Sequence, residues 1–138
     1  SQRSGAVMSQ TEIEVILTRH LASYLTMPIF IIDPAGALVF YNEPAELILG
    51  LRFEETGEMP ADEWAAAFTP MDEQGTPLAL ETFPIMIALT ERRPVHGDMY
   101  IRGLDQVLRH IEITAFPLSG QAERHLGAVA FFWEVRAA

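Results

Sequence analysis

The chain has no cysteine and no lysine. Without cysteine there is no disulfide framework, no thiolate-ligated zinc or iron–sulfur cluster, and no covalent thiol adduct to a chromophore. Such a chain suits a reducing compartment, and a cytoplasmic location is expected. No apolar run approaches the roughly 18 to 20 residues of a membrane span, and residues 1–7 contain no apolar signal-peptide core. Cations are scarce. Nine arginines face nineteen acidic residues, giving a formal charge of −10. An acidic domain repels phosphate, so neither nucleic acid nor an anionic membrane surface is an expected partner. Asparagine occurs once, as Asn42.

What is present is a globular composition. A length of 138 residues is one domain, and 49% hydrophobic against 20% charged residues suffices for a core without staples. Residues 1–8 are expected to be an expression remnant or disordered, with Met8 the native start. Ser9 and Glu12 then form an S-x-x-E capping box. The stripe Ile13, Ile16, Leu17, Leu21, Tyr24 and Leu25 predicts an amphipathic helix over residues 9–26, ended by Pro28.

The remainder, residues 27–136, opens with strand signals. Ile29-Phe30-Ile31-Ile32 and Leu38-Val39-Phe40-Tyr41 flank Asp33-Pro34-Ala35-Gly36, which has the residues of a turn; together they predict a β-hairpin. Asn42 is placed to cap a helix over Glu43–Leu49, with Pro44 in its first turn and Gly50 as its stop. Residues 51–77 are poorly periodic, with one or two helical turns expected over Asp62–Phe68. A firmer helix is expected from Thr82 to Arg93, with Pro84 in its first turn and Pro94 beyond its end. Three strands close the chain: Val95–Arg102, Val107–Leu118 and Leu126–Val135. In the second of these, Ile111, Ile113 and Ala115 share one face. In the third, Val129, Phe131 and Trp133 alternate with Ala130, Phe132 and Glu134. Strands at both ends with helices between them predict an α+β fold: one antiparallel sheet with helices on one face, preceded by the amphipathic helix.

The segment Ile31-Ile32-Asp33-Pro34-Ala35-Gly36-Ala37-Leu38-Val39-Phe40-Tyr41-Asn42-Glu43-Pro44-Ala45 resembles the opening of a PAS domain, with Asp33, Gly36 and Asn42 as its structural markers. Pro77 to Val95 is similar to the long PAS helix and its exit, and His110–Leu118 followed by Gly127–Phe132 to the closing hairpin. The resemblance spans about residues 28–135. It departs at Trp133-Glu134-Val135-Arg136, where many PAS domains end in Asp-Ile-Thr. It implies a five-stranded antiparallel sheet curled around a small cavity, and a sensory, signal-input or dimerisation role in bacterial signal transduction. It also implies an effector, such as a histidine kinase, a PP2C-type phosphatase or a cyclase. The helix bearing Ile13, Ile16, Leu17, Leu21 and Tyr24 is then the expected dimer element of a homodimer.

The side chains expected to line the cavity are Ile29 or Phe30, Phe40, Phe83, Ile87, Met99, Ile111, Ile113, Val129 and Phe131, with Trp133 available to stack on a ring. An apolar wall selects an apolar ligand such as a fatty acid. Haem is disfavoured because the expected helix lacks a histidine, leaving His96 beyond its end as the nearest axial candidate. Flavin is disfavoured because the photochemical form needs a cysteine. None of His20, His96, His110 and His125 has metal-site spacing, and no nucleophile elbow or phosphate loop is present. No enzymatic activity is expected. A rival small α+β enzyme or carrier for a hydrophobic substrate would need Glu81, His96 or Glu112 inside the pocket, and a purely structural interaction module would have a filled cavity.

Overall fold

A computed structural model describes residues 26–120, 122 and 124–135. The amphipathic helix expected over residues 9–26, with its stripe from Ile13 to Leu25, lies outside the described residues except for its last residue, Thr26.

Strands β1 (Ile29–Ile32) and β2 (Leu38–Tyr41) form the expected hairpin. Asp33 shapes its turn: Oδ1 accepts from the backbone N–H groups of Ala35 at 2.9 Å and Ala37 at 3.0 Å, the local bonding that favours Asp in turns. Asn42 then starts α1 (Glu43–Leu49). Its Oδ1 accepts from Ala45 N–H at 3.3 Å, the helix cap, and from Ile29 N–H at 2.9 Å. Its Nδ2 donates to the Met27 carbonyl at 2.9 Å. At 1% exposure, the lone asparagine caps a helix and bolts that helix to the start of β1.

Two short helices follow where the sequence is poorly periodic, α2 (Phe53–Thr56) and α3 (Ala61–Phe68). Between them Met59 pairs with Leu38 in both directions, at 2.7 and 3.1 Å, covering the outer edge of β2. A single 3₁₀ turn at Leu80–Thr82 leads into α4 (Pro84–Glu91). The helix proper therefore begins two residues later than its sequence signal, at the proline that fits a first helical position.

Strands β3 (Val95–Arg102), β4 (Leu108–Ser119) and β5 (His125–Glu134) complete a sheet of order β2-β1-β5-β4-β3, antiparallel at every pairing. The helices pack on one face of it, as expected. On the free edge of β3, Met71 exchanges backbone hydrogen bonds with Tyr100 at 2.8 and 2.9 Å. Arg109 gathers one end of the molecule. It donates to the Ile48 carbonyl in the last turn of α1 at 2.9 Å and forks onto Asp105 at 2.9 and 3.1 Å. A cation is favourable beside those orphan helix carbonyls, and the same guanidinium holds the Asp105 carboxyl below the usual carboxylate range.

Candidate functional site

Alternation along the strands divides the sheet into two apolar faces. The inner face carries Phe30 and Ile32 from β1, Met99 and Ile101 from β3, and Ile111, Ile113 and Ala115 from β4. From β5 it carries Ala128, Ala130 and Phe132. The outer face carries Ile29, Ile31 and Val129, with Val39, Phe40, Leu118 and Phe131 packed around them.

Between the inner face and the helices lies a cavity of about 50 Å³. Its sheet wall includes Phe30, Met99, Ile111, Ile113 and Ala130, and its helix wall includes Leu49, Trp64, Phe68 and Ile85. The wall is carbon apart from the thioether of Met99. The indole N–H of Trp64 is already given to the Gly36 carbonyl at 2.9 Å, so it offers an occupant no free donor. Trp64 and Phe68 stand four residues apart on α3, where they face the same side, and both meet Phe30 edge-on, at ring separations of 5.1 and 6.3 Å. Edge-to-face pairs of this kind add about 0.5–1.5 kcal/mol each beyond their burial, which fixes α3 over β1.

A second, outward cavity of about 220 Å³ lies between α3 and the segment 69–80. Ala65, Ala66, Leu78 and Leu80 are among its walls. Pro70, which is buried, belongs to both cavities. Phe83 lines the outward cavity and packs on Trp64 with ring centroids 5.8 Å apart.

Of the side chains expected around the inner cavity, Met99, Ile111, Ile113 and Phe30 line it. Four lie elsewhere. Phe40, Val129 and Phe131 belong to the outer face, and Trp133, in register with Glu112 and beside the ring of His96, lies there too. The reason is steric. Alternation separates two sets of residues without saying which set meets the helices, and β5 turns its small residues, Ala128 and Ala130, inward beneath them. Ile87 is half-buried on α4 and outside the cavity wall, which takes Ile85 from that helix instead. Trp64 and Phe68 had a legible signal, an apolar pair at helical spacing in Trp64-Ala65-Ala66-Ala67-Phe68. Pro70 had none.

The polar candidates are outside. Glu81 and His96 are exposed. His96 Nδ1 is 2.9 Å from the Thr114 hydroxyl, and its ring lies 6.2 Å from Trp133. Glu112 lies on the outer face, paired across the strands with Asp98 and Trp133. His110 stacks on Tyr100 at 4.3 Å and meets Asp98 at 2.7 Å. Burial, then the charge of Arg92, holds the His125 imidazole below its usual pKa. Among the described residues no three potential metal ligands cluster, and no helix there is long and apolar enough to cross a membrane.

A single antiparallel sheet in this strand order, roofed on one face by short helices over an apolar cavity, places the chain among the one-sheet α+β domains. Within that class it has the PAS fold. The PAS domain of a protein from Colwellia psychrerythraea superposes with a TM-score of 0.62 at 16% identity, covering 88% of this chain and 97% of that one. The PAS domain of nitrogen regulation protein NR(II) from Vibrio parahaemolyticus gives 0.60 at 17% identity, over 86% and 98%. The Rhodobacter sphaeroides LOV protein gives 0.69 at 16% identity, over 92% and 69%. No protein-family model and no curated protein match the sequence.

Proposed function

We propose that the chain is a sensory, signal-input domain that binds a small apolar ligand in the inner cavity and relays its occupancy to an effector. What supports this is the cavity itself: a hydrocarbon-walled space at the meeting point of sheet and helices, in a fold shared with domains of a nitrogen regulation protein and a LOV protein. A ligand there touches β1, β3, β4 and β5 together with α1, α3 and α4, so a difference in affinity between two arrangements of those elements converts binding into a population shift. The domain works as a homodimer paired through the stripe Ile13, Ile16, Leu17, Leu21 and Tyr24. It acts in the bacterial cytoplasm, upstream of a histidine kinase, a PP2C-type phosphatase or a cyclase. It has no catalysis of its own, in keeping with the outward placement of Glu81, His96 and Glu112.

Haem and flavin do not fit this wall. A ring cofactor needs an axial ligand or polar partners, and a pocket of roughly 300 Å³ or more. The inner cavity is about 50 Å³ and its lining presents no such group. The same small volume favours a second reading, a purely structural interaction module whose core is already filled.

The test is the mass of the purified domain, native and denatured, with an absorption spectrum of the same sample. An added mass lost on denaturation, without visible absorbance, supports the sensor. Visible bands restore haem or flavin. A bare mass, with no ligand binding on titration, favours the structural module. The dimer is tested separately: replacing Ile16 and Leu17 with Glu yields monomers by light scattering, and an unchanged dimer rules out that helix as the pairing element.

A further inference from the structure

We propose that the inner cavity and the outward cavity beside α3 are two compartments of one site, entered from the outward side, whose occupant is an uncharged molecule with a single alkyl chain lying across Pro70. This rests on the ligand-binding reading above.

Volume is the first ground. The inner space of about 50 Å³ is too small for most ligands, but with the outward 220 Å³ it approaches the roughly 300 Å³ at which small-molecule pockets begin. Continuity is the second. The two spaces share Pro70, and Phe83 of the outward wall packs on Trp64 of the inner wall. Pro70, common to both walls, stands between an anchor and a joint. Beyond it, Met71 is fixed to β3 by its two bonds to Tyr100, and Leu78 N–H donates to the Pro70 carbonyl at 3.0 Å. Before it, Thr69 ends α3 at φ 43° and ψ 62°, a left-handed conformation that is a genuine outlier for a β-branched residue. Its hydroxyl makes only a long contact, 3.4 Å to the Arg102 carbonyl. Relaxation of Thr69 moves the Pro70 ring and joins the two spaces, and strained residues of this kind gather at ligand clamps and switches.

Chemistry sets the class of occupant. No charged residue lines either compartment. The residues directly following the lining residues Met71 and Leu80 are Asp72 and Glu81, in a chain of net charge −10. An alkyl chain with a hydroxyl head fits this mouth, whereas a carboxylate meets no cation there and is repelled.

The experiment uses the full chain carrying Trp133→Phe. Trp64 is then its single tryptophan, and it sits at the boundary of the compartments. Straight-chain alcohols from butan-1-ol to decan-1-ol, and decanoate, are titrated by Trp64 fluorescence and calorimetry. Affinity should rise about fourfold per added methylene up to decanol, with decanoate at least tenfold weaker than decanol. Ala66→Phe, at an exposed position on the outward wall, should weaken decanol at least tenfold while leaving butanol within twofold. Leu78→Phe, from the opposite wall, should do the same. Folding of both variants is checked by circular dichroism.

If butanol binds but decanol binds no tighter, or if both filling variants fold and leave decanol unaffected, the two-compartment site is wrong and the ligand-binding reading stands. Equal binding of decanoate overturns the uncharged head. If no alcohol perturbs Trp64 or releases heat, the ligand-binding reading itself fails.

Discussion

Gly127, near the start of β5, lies against the backbone at the end of β1, and replacing it tests how tightly the centre of the sheet is held. A Cβ added there would overlap the Ile32 carbonyl oxygen and lie 3.0 Å from Asp33 Cα. Both obstacles are backbone atoms, so no flexible side chain can swing aside. The residue also has φ +127°, a region nearly closed to side-chain-bearing residues. Gly127→Ala therefore incurs conformational strain of about 1–3 kcal/mol and a forced backbone shift of about 1–3 kcal/mol. The loss, roughly 2–6 kcal/mol, is a large share of a typical stability of about 5–15 kcal/mol. With an unfolding entropy of about 2.1 cal/mol/K per residue, it lowers Tm by roughly 7–21 °C. Gly57 is the internal control: it has φ +66° but nothing within 4 Å of an added Cβ, so Gly57→Ala should cost only the strain. Thermal and urea melts followed by far-UV circular dichroism give both values, with the urea m-value expected to stay constant. If Gly127→Ala costs no more than Gly57→Ala, β1 and β5 are not locked at that point and the steric account is refuted.

Asn42→Ala leaves the buried Ile29 amide and the Met27 carbonyl without their side-chain partner and removes the α1 cap. The expected loss is about 2–4 kcal/mol in urea melts, and a loss below about 1 kcal/mol would mean that water replaces the amide. Arg109→Met should cost about 1–3 kcal/mol, and by NMR titration should return the Asp105 carboxyl to its ordinary range. Because Arg109 holds that carboxyl low, Asp105 contributes stability above the ordinary carboxylate pKa of about 4, and that stability is lost as pH falls through the depressed folded value. The variant should lack this part of the acid limb. His125 has the same sign: its folded pKa is depressed by burial and Arg92, so its contribution is complete above about pH 6.5 and declines as pH falls. Tm measured between pH 5.5 and 8 should flatten in that window for His125→Gln, and an unchanged slope would refute the assignment.

Much of the fold was legible because local chemistry and tertiary structure agree. Asp33 and Asn42 act in the structure through the backbone bonds that make those residue types common in turns and caps. The strands of the last third stand within a residue of their sequence boundaries. Between Leu51 and Leu80 the sequence was less informative, since α2 and α3 are held by aromatic contacts with residues distant in sequence, such as Phe30 and Tyr41. The cavity wall was half legible for a related reason. On β5, Val129, Phe131 and Trp133 read as core, but they lie on the opposite face, with only Val129 fully buried. The helix-facing set of that strand is Ala128, Ala130 and Phe132, and the small size of its alanines is informative only once the helices are in place.

The two bridges at the sheet margins constrain how this domain can meet other chains. Leu38 is tied to Met59 and Tyr100 to Met71, so the outermost strand on each side already spends main-chain groups on its own polypeptide. An incoming peptide cannot pair at Leu38 or Tyr100 without first prising a methionine segment away. Recruitment by strand addition is thereby obstructed at both ends. To that extent recognition shifts onto side chains, and partner choice can diverge between relatives through surface substitutions, with the hydrogen-bonded sheet left untouched.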